Sequence, residues 1–397
     1  MAEALKVFLV AGESSGDQLG ASLMAGLRRA VPSPRFEGVG GPAMAAAGLA
    51  SLFPMSDIAV MGIGPVLARL PLLLRRIAET AAAVLAARPD VLVLIDSPDF
   101  CRRVARRVRA VRPDLPIVVY VSPTVWAWRP GRARKLAAFC DRLLAVLPFE
   151  PEVHRILGGP PTVYVGHPAL ESLAGIRAER SGGQAEVPAI RQLVVLPGSR
   201  RTEVGRLMPL FGAVIDRLRT EVGPVEATLP AVPHLLGEIE RLAAAWPVRP
   251  RIVTGEAAKR AAFGDAEVAL AASGTVTLEL ALARVPTVVA YRLDWLGRRA
   301  KRLVRVPKGL EGVIRVRSVV LPNLIAGEAA VPEFIDEAAT PAALAGAVAE
   351  LLRGGPARDS QLALFDRLDD LMRLPDGQKP ADAAAAAVLQ AARRQPG

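Results

Sequence analysis

The chain has 397 residues, of which 51% are hydrophobic and 22% charged, with a formal net charge of +11 and two cysteines. This length suffices for two domains that each bury a core, the apolar content excludes a disordered chain, and two cysteines are too few for a disulfide scaffold. No basic run alternates with the stacking aromatic residues of a single-strand binder. We therefore expect anionic substrates or anionic lipid headgroups, and no nucleic acid, as partners.

Neither a signal peptide nor a membrane-spanning helix is predicted. The apolar run at residues 7–11 is much shorter than a signal-peptide core and has no basic start. The longest apolar stretch, residues 58–74, is interrupted by proline, glycine and arginine, and it is too short to cross a bilayer core of roughly 30 Å. The sequence predicts a protein that stays in the cytoplasm.

The first half of the chain alternates short β-rich apolar runs with stretches of helical periodicity, the pattern of a parallel α/β sheet. Strands are predicted at residues 6–11, 91–95, 117–121, 142–146 and 162–165. Helices are predicted at residues 19–29, 72–88 and 100–111. The glycine-, serine- and proline-containing residues 171–192 break the pattern and are predicted to link two domains.

The second half repeats this pattern and ends in helices. Its strands are predicted at residues 193–196, 225–229, 251–254, 268–272 and 287–291, and its last helices at residues 341–353, 358–373 and 380–393. We predict an α/β fold with two Rossmann-like domains, residues 1–170 and 193–354, facing a cleft. Helices over residues 355–397 would pack back on the first domain or on a partner subunit, as in a homodimer.

The first predicted strand runs into a glycine-rich turn, Gly12-Glu13-Ser14-Ser15-Gly16-Asp17. Such a turn places backbone N–H groups at the sheet edge where ligands bind in open α/β folds, so Gly12 and Ser15 are candidate ligand contacts. The turn matches neither the dinucleotide fingerprint nor a P-loop. A plain strand-to-helix turn is the alternative, although Glu13 is an unusual residue for geometry alone.

A second acidic cluster, Asp96 to Asp99, follows the strand at residues 91–95. A carboxylate at a strand end points into the expected cleft and would remove a proton from a substrate hydroxyl. Asp99 has an alternative role as N-cap of the next helix, so Asp96 is the better candidate base and Glu13 its rival.

Two tryptophans, Trp126 and Trp128, follow the strand at residues 117–121. They predict a wall of the cleft, with packing against a neighbouring loop as the alternative. His167, in a Gly-His-Pro segment, has no second histidine at metal-ligand spacing, and no metal site is predicted.

Two further strand-to-helix turns occur in the second half. Their candidate ligand residues are Ser199, Arg200, Ser273, Gly274 and Thr275. Both turns would present N–H groups to a phosphate, Arg200 would add a bidentate guanidinium, and Glu279 would accept hydrogen bonds from ribose hydroxyls. No Asp-x-Asp pair occurs, so arginine and helix ends would neutralise a leaving diphosphate without metal or other cofactor.

An apolar arc at residues 66–77 predicts a membrane-facing patch beside arginines. Leu72 on the arginine side favours this interpretation over an ordinary core-facing helix. The predicted membrane-facing residues are Val66, Leu67, Leu70, Leu73 and Leu74.

Several motifs, taken in order, closely resemble the lipid-A-disaccharide synthase family. They are Ala11-Gly-Glu-Ser-Ser-Gly-Asp17, Ala59-Val-Met-Gly62, Ile95-Asp-Ser-Pro-Asp-Phe100, Tyr120-Val-Ser-Pro-Thr-Val-Trp-Ala-Trp128, Leu147-Pro-Phe-Glu150, Gly166-His-Pro168, Leu196-Pro-Gly-Ser-Arg200, Ala272-Ser-Gly-Thr275 and Leu321-Pro-Asn323. The resemblance runs nearly end to end. It departs from the family pattern at Ser14 and Ser97, where alanine is common, and at Thr124, where serine is.

The resemblance implies a GT-B, inverting, metal-independent glycosyltransferase without cofactors. Its substrates would be UDP-2,3-diacylglucosamine and 2,3-diacylglucosamine 1-phosphate (lipid X), and its products UDP and the β-1,6-linked lipid A disaccharide 1-phosphate. The first domain would face the acceptor and the anionic inner-membrane surface, on its cytoplasmic side, and the second would bind the UDP-sugar. Asp96 then looks like the base, Arg200 like a diphosphate ligand, and Asn323 like another cleft residue.

Two other classes of function compete with this interpretation. A UDP-sugar 2-epimerase shares the two-domain architecture but needs histidine and acidic groups for proton transfer at carbon, and the chain has three histidines. A non-enzymatic binding protein leaves the paired phosphate turns unexplained.

Overall fold

The computed structural model describes residues 4–59, 69–127, 129–181, 189–293, 307 and 309–393. The chain forms two compact units. The first comprises residues 1–168, 306–313 and 373–397, and the second residues 169–305 and 314–372.

The first unit is built on a six-stranded parallel sheet in the order β2-β1-β3-β4-β5-β6. Its strands are β1 (Lys6–Ala11), β2 (Arg35–Val39), β3 (Val91–Ile95), β4 (Ile117–Tyr120), β5 (Arg142–Ala145) and β6 (Thr162–Tyr164). Its helices are α1 (Ser14–Ala30), α2 (Pro42–Ala46), α3 (Leu70–Ala87), α4 (Pro98–Val111), α5 (Arg132–Ala137) and α6 (Glu150–Leu157), with a 3-10 turn at Met55–Asp57. Strand β3 is buried along its whole length because helices cover both faces of the sheet.

The second unit repeats this plan with the parallel strand order β12-β11-β10-β7-β8-β9. Its strands are β7 (Arg191–Leu196), β8 (Val225–Ala231), β9 (Arg251–Thr254), β10 (Val268–Ala272), β11 (Thr287–Tyr291) and β12 (Glu333–Ile335). Its helices are α7 (Ala169–Ser172), α8 (Ala174–Ser181), α9 (Arg201–Val222), α10 (Leu236–Ala243), α11 (Glu256–Asp265), α12 (Thr275–Leu282), α13 (Leu321–Ala326), α14 (Pro341–Arg353) and α15 (Pro356–Met372). The predicted α/β fold is therefore confirmed. Short 3-10 turns of this unit lie at Pro233–Leu235 and Asp336–Ala338, whereas the one at Pro375–Gly377 belongs to the first unit.

The segment predicted as a linker is partly helical. Helix α8 packs on the second unit through Arg180, whose guanidinium donates to the carbonyls of Gly264 at 2.9 Å, Ala266 at 2.7 Å and Arg284 at 3.2 Å. These carbonyls include the last turn of α11, where a helix leaves acceptors without intrahelical partners. Residues 182–188 lie outside the described part of the chain.

The C-terminal helices divide between the two units, at Arg373 rather than at residue 355. Helix α15 stays with the second unit because it buries Phe365, and because Gln361 bonds the backbone N–H and C=O of Thr287 at 2.8 and 3.2 Å. The last helix, α16 (Pro380–Arg393), belongs to the first unit and packs on α1. Gly26 permits this packing, since a Cβ atom there would lie 2.4 Å from the Ala381 carbonyl oxygen.

Two strands were not predicted from the sequence, β2 and β12. Both lie at the edge of their sheets and mix charged with apolar residues, so they lack the apolar run of a buried strand. Within the described residues, no helix combines the length and apolar character needed to cross a membrane.

Candidate functional site

The glycine-rich turn after β1 and the acidic turn after β3 lie against each other. A Cβ atom on Gly12 would stand 2.3 Å from the Cβ of Ser97, and one on Gly16 would stand 3.3 Å from the Ile95 carbonyl oxygen. Strands β1 and β3 are parallel neighbours, so their carboxyl ends reach the same edge of the sheet. Glycine at position 12 is thus required by close backbone approach.

This approach brings two of the predicted residues into contact. The hydroxyl of Ser15 donates to Oδ2 of Asp96 at 3.1 Å, and the Ser97 backbone N–H donates to Oδ1 at 2.8 Å. Asp96 is half-buried. Hydrogen bonds to both oxygens orient the carboxylate.

The backbone at this turn is strained. Asp96 and Ser97 have φ angles of +55° and +44°, in the left-handed region that residues other than glycine seldom adopt. Such conformations persist where surrounding contacts over-determine them, and they cluster at functional sites. Here the Asp96 N–H donates to the Tyr120 carbonyl of β4 at 3.1 Å.

The two other acidic candidates differ from Asp96 in their surroundings. The N-cap of α4 is Ser97, so the N-cap role predicted for Asp99 is wrong. Asp99 lies in the first turn, exposed, 3.7 Å from the guanidinium of Arg102. Glu13 is half-buried at the N-cap of α1, and its side chain makes no capping hydrogen bond.

Asp17 has a role that sequence reasoning missed. Its buried carboxylate accepts from the backbone N–H groups of Gly41, Ala43 and Met44 at 2.8 to 3.0 Å. It thereby caps α2 and ties that helix to α1. The sequence around Asp17 gives no local sign of partners that lie 24 or more residues away in the chain.

Trp126 is 8% exposed and packs edge-on against Phe149 with ring centroids 5.5 Å apart. Packing against a neighbouring loop therefore describes it better than an open wall, and Trp128 lies outside the described residues. Burial lowers the pKa of His167 to about 4, which keeps this imidazole neutral at physiological pH.

In the second unit, the turn after β7 binds a side-chain carboxylate of the same chain. The Glu203 carboxylate accepts from the backbone N–H groups of Ser199 at 3.2 Å and Arg200 at 3.3 Å, and it pairs with the Arg200 guanidinium at 3.0 Å. Gly198, at φ +108°, permits this turn. The N–H groups that were predicted to face a phosphate are therefore occupied by a carboxylate of the same turn.

The turn after β10 leaves open space at its glycine. Gly274 has φ +147° and is exposed, and apart from its chain neighbours no heavy atom of the described residues lies within 4 Å of a Cβ built on it. Ser273 donates its hydroxyl hydrogen to the Val319 carbonyl at 2.6 Å, whereas Thr275 begins α12 and is exposed.

Glu279, the predicted ribose acceptor, is paired with a lysine that sequence reasoning missed. Its Oε2 lies 2.6 Å from Nζ of Lys259, and both side chains are about one-fifth exposed. Burial lowers the pKa of Lys259, but the carboxylates of Glu279 and Glu256 outweigh that effect and the pKa is raised. The ammonium is therefore charged.

Asn323 does not fit the predicted ligand role. It is 0% exposed, its Nδ2 donates to the Val331 carbonyl at 2.9 Å, and its Oδ1 accepts from the Val331 N–H at 3.0 Å. Both ends of the amide are used to hold the turn after α13, so a ligand has no access to this side chain.

The predicted membrane-facing residues differ in their exposure in the structure. Leu70 and Leu74 are exposed at 37% and 41%, one helical turn apart on α3, while Leu73 packs against the core of the first unit. Val66 and Leu67 lie outside the described residues.

Among the described residues there is neither a metal cluster nor a disulfide. In the part of the chain that the structure describes, no three His, Cys, Asp or Glu side chains are grouped to hold a metal ion. Cys101 and Cys140 are buried free thiols, and burial raises the pKa of Cys140 to about 12.

By sequence, the chain is similar along nearly its whole length to proteins of one kind. The family described as Lipid-A-disaccharide synthetase matches residues 7–387. A lipid-A-disaccharide synthase of Rhodopseudomonas palustris (strain HaA2) is 51% identical over 397 residues, covering 98% of this chain and 97% of that protein. That of Ruegeria pomeroyi (strain ATCC 700808 / DSM 15171 / DSS-3) is 44% identical over 400 residues, with 97% and 95% covered.

Similar solved structures include two kinds of enzyme. The UDP-GlcNAc 2-epimerase from Neisseria meningitidis bound to UDP-GlcNAc has a TM-score of 0.61 at 11% identity, covering 97% of this chain and 99% of that one. The spinosyn rhamnosyltransferase SpnG complexed with thymidine diphosphate has a TM-score of 0.54 at 16% identity, covering 97% and 100%. At these identities the likeness shows the fold alone.

Proposed function

The chain belongs to the lipid-A-disaccharide synthase family, and from that premise we propose that it transfers 2,3-diacylglucosamine from UDP-2,3-diacylglucosamine to 2,3-diacylglucosamine 1-phosphate. The products are UDP and the β-1,6-linked disaccharide 1-phosphate. The structural observation that supports this proposal is the Asp96 carboxylate at the carboxyl end of β3. It accepts hydrogen bonds from the Ser15 hydroxyl and the Ser97 N–H.

The chemistry requires a base for the acceptor hydroxyl. Asp96 takes the hydroxyl proton as the acceptor oxygen forms a bond to the anomeric carbon, and the bond from that carbon to the UDP oxygen breaks with its electron pair. A single displacement inverts the anomeric centre. Glu13 remains the rival base.

The donor is assigned to the turns of the second unit. Arg200 and the turn at residues 273–275 bind the diphosphate, and Glu279 accepts from the ribose. The positive ends of α9 and α12, with Arg200, neutralise the charge that develops on UDP, so the reaction proceeds without a divalent metal.

Both sugars carry acyl chains, which suits attachment to the cytoplasmic face of an anionic inner membrane. The support for this step is the exposure of Leu70 and Leu74 together with the positive net charge.

The test is to follow UDP and disaccharide formation from the acylated donor, with and without the acylated acceptor. We expect UDP release only with acceptor, in equal amount to disaccharide, and unchanged in EDTA. A donor epimerised at carbon 2 would favour the epimerase instead. If EDTA abolishes turnover and magnesium restores it, the proposal that no metal is needed is contradicted, but the proposed transfer reaction is not.

A further inference from the structure

A buried polar cluster lies beside the Asp96 turn, and the reaction described above does not use it. Glu150, at the start of α6, is 2% exposed. Its Oε1 accepts from the Trp126 ring N–H at 3.4 Å and its Oε2 from the Leu147 N–H at 3.1 Å, and the Ser122 hydroxyl is a third hydrogen-bonding neighbour. The Trp126 ring N–H and the Leu147 backbone N–H therefore converge on one carboxylate.

Burial and hydrogen bonding act in opposite directions on this carboxyl group. Burial raises the pKa of Glu150 to about 7, and the hydrogen bonds from Leu147, Trp126, Ser122 and Val146 oppose that rise by favouring the ionised form. An amide at this position would place its own N–H₂ group against one of the donors, leaving buried donors without an acceptor.

The same cluster borders the backbone that holds Asp96. Val121, between Tyr120 and Ser122, has φ +80°, which is an outlier for a β-branched residue. The Tyr120 carbonyl, one residue earlier, accepts from the Asp96 N–H at 3.1 Å. Surrounding contacts maintain such a conformation: the Val121 N–H donates to the Leu144 carbonyl at 3.0 Å, and the hydroxyl of the next residue, Ser122, lies 2.8 Å from Nε2 of His154.

We propose that Glu150 is a positioning residue for the transfer reaction: by holding Ser122 and Trp126, it keeps the segment after β4 in the conformation that fixes the backbone of Asp96. This inference rests on the proposed function. Glu150 does not touch the substrates in this scheme, and it acts through Tyr120 on the orientation of the base.

Two described ionisable neighbours of Glu150, His154 and Tyr164, have pKa values displaced away from neutral pH. His154, also on α6, has its Nε2 2.8 Å from the Ser122 hydroxyl, and burial lowers its pKa to about 4. Burial, followed by the charge of Glu150, raises the pKa of Tyr164 on β6 above its usual range. Arg134 of α5 approaches the opposite end of α6 at Gly158. A titration near pH 7 in this cluster therefore reports Glu150.

The experiment compares Glu150→Gln with Glu152→Gln, a matched change on the same helix at an exposed residue paired with Arg155. In the coupled reaction we expect Glu150→Gln to lower kcat about tenfold or more with UDP affinity unchanged. We also expect the acid limb of the wild-type kcat profile near pH 7 to disappear. An unchanged limb, or a kcat equal to that of Glu152→Gln, would overturn the inference.

A second pair covers the case in which Glu150→Gln does not fold. Trp126→Phe keeps an aromatic ring but removes the donated N–H, and Trp246→Phe removes a buried N–H that has no hydrogen-bond partner among the described residues. We expect only Trp126→Phe to lower kcat and shift the acid limb, and equal behaviour of the two variants would overturn the inference. Wild-type protein that makes no disaccharide refutes the proposed function itself, and this inference with it.

Discussion

The hydroxyl of Ser15 donates to Oδ2 of Asp96 at 3.1 Å, joining two turns that are 81 residues apart. With the Ser97 N–H on the other oxygen, both carboxylate oxygens have a donor, and the side chain is fixed in direction. A base that accepts a proton from a bound hydroxyl needs such a fixed orientation. Asp99, by contrast, is exposed and lies 3.7 Å from the guanidinium of Arg102.

Asp96→Asn should therefore lower kcat by about 10²- to 10⁴-fold, with UDP affinity and melting temperature close to wild type. Asp99→Asn is the matched control, because Asp99 is exposed beside Arg102, and it should retain turnover. Turnover is measured with both substrates saturating. Near-normal kcat in Asp96→Asn together with loss in Glu13→Gln would move the base to Glu13.

Asn323→Ala should destabilise the second unit rather than weaken nucleotide binding directly. The change leaves the buried Val331 N–H and C=O without their partners, at a cost of about 2–4 kcal/mol. Thermal unfolding and UDP titration well below the melting temperature separate the two effects. A weaker UDP affinity with an unchanged melting temperature would restore the ligand role inferred from the sequence.

His154 should make the free energy of unfolding decrease at acid pH. Burial lowers its folded-state pKa to about 4 from 6.5, so the folded protein favours neutral imidazole. This contribution to the free energy of unfolding is fully present above pH 6.5. It is lost as the pH falls from 6.5 through 4, and the total loss is about 3 kcal/mol. His154→Gln should flatten the pH dependence of unfolding free energy over that range, whereas the exposed His234→Gln should not. Identical slopes for the two variants would contradict this account.

The buried strands show what sequence can predict. Strands β3 and β10 were predicted at their observed limits, because both are continuous apolar runs buried on each side. Helix starts were less accurate: α1 begins at Ser14 rather than residue 19, since Ser15 and Gly16 belong to its first turn and only Gly12 and Glu13 separate it from β1.

The site was predicted in part for a related reason. Residues that follow parallel strands come together by topology alone, which is why Ser15 and Asp96 meet. Partners on separate helices have no such rule, and the pairing of Glu279 with Lys259 was therefore not foreseen. Asn323 was placed by resemblance, and only the structure shows that Val331 uses both ends of its amide.

Exposed leucines on α3 should attach the protein to anionic bilayers. Replacing both Leu70 and Leu74 with serine should lower the fraction that sediments with anionic vesicles, because burial of apolar side chains in the interface drives this binding. Leu371→Ser is the control, since Leu371 is 48% exposed on α15. Leu73→Ser should instead lower the melting temperature, as that side chain packs on the core. Equal sedimentation of the double variant and wild type would exclude these leucines from attachment.

Arg200 and Glu203 should affect UDP binding in opposite directions. The Glu203 carboxylate occupies the backbone N–H groups of Ser199 and Arg200, which are the donors a diphosphate would use. Arg200→Ala should weaken UDP binding by about 1.5–3 kcal/mol, or roughly 10- to 100-fold. Glu203→Gln removes a competing charge and should tighten binding, while loss of its capping contacts costs about 1 kcal/mol of stability.

The matched control for this pair is Arg201→Ala. Arg201 is the next residue, 74% exposed at its side chain, and pairs with Glu238 at 2.8 Å, so removing it changes the net charge by the same amount without touching the turn. UDP affinity is measured by calorimetry. It should be highest for Glu203→Gln, intermediate for wild type and Arg201→Ala, and lowest for Arg200→Ala. If Arg200→Ala and Arg201→Ala weaken binding equally, the effect is one of net charge, and the diphosphate binds away from the turn after β7.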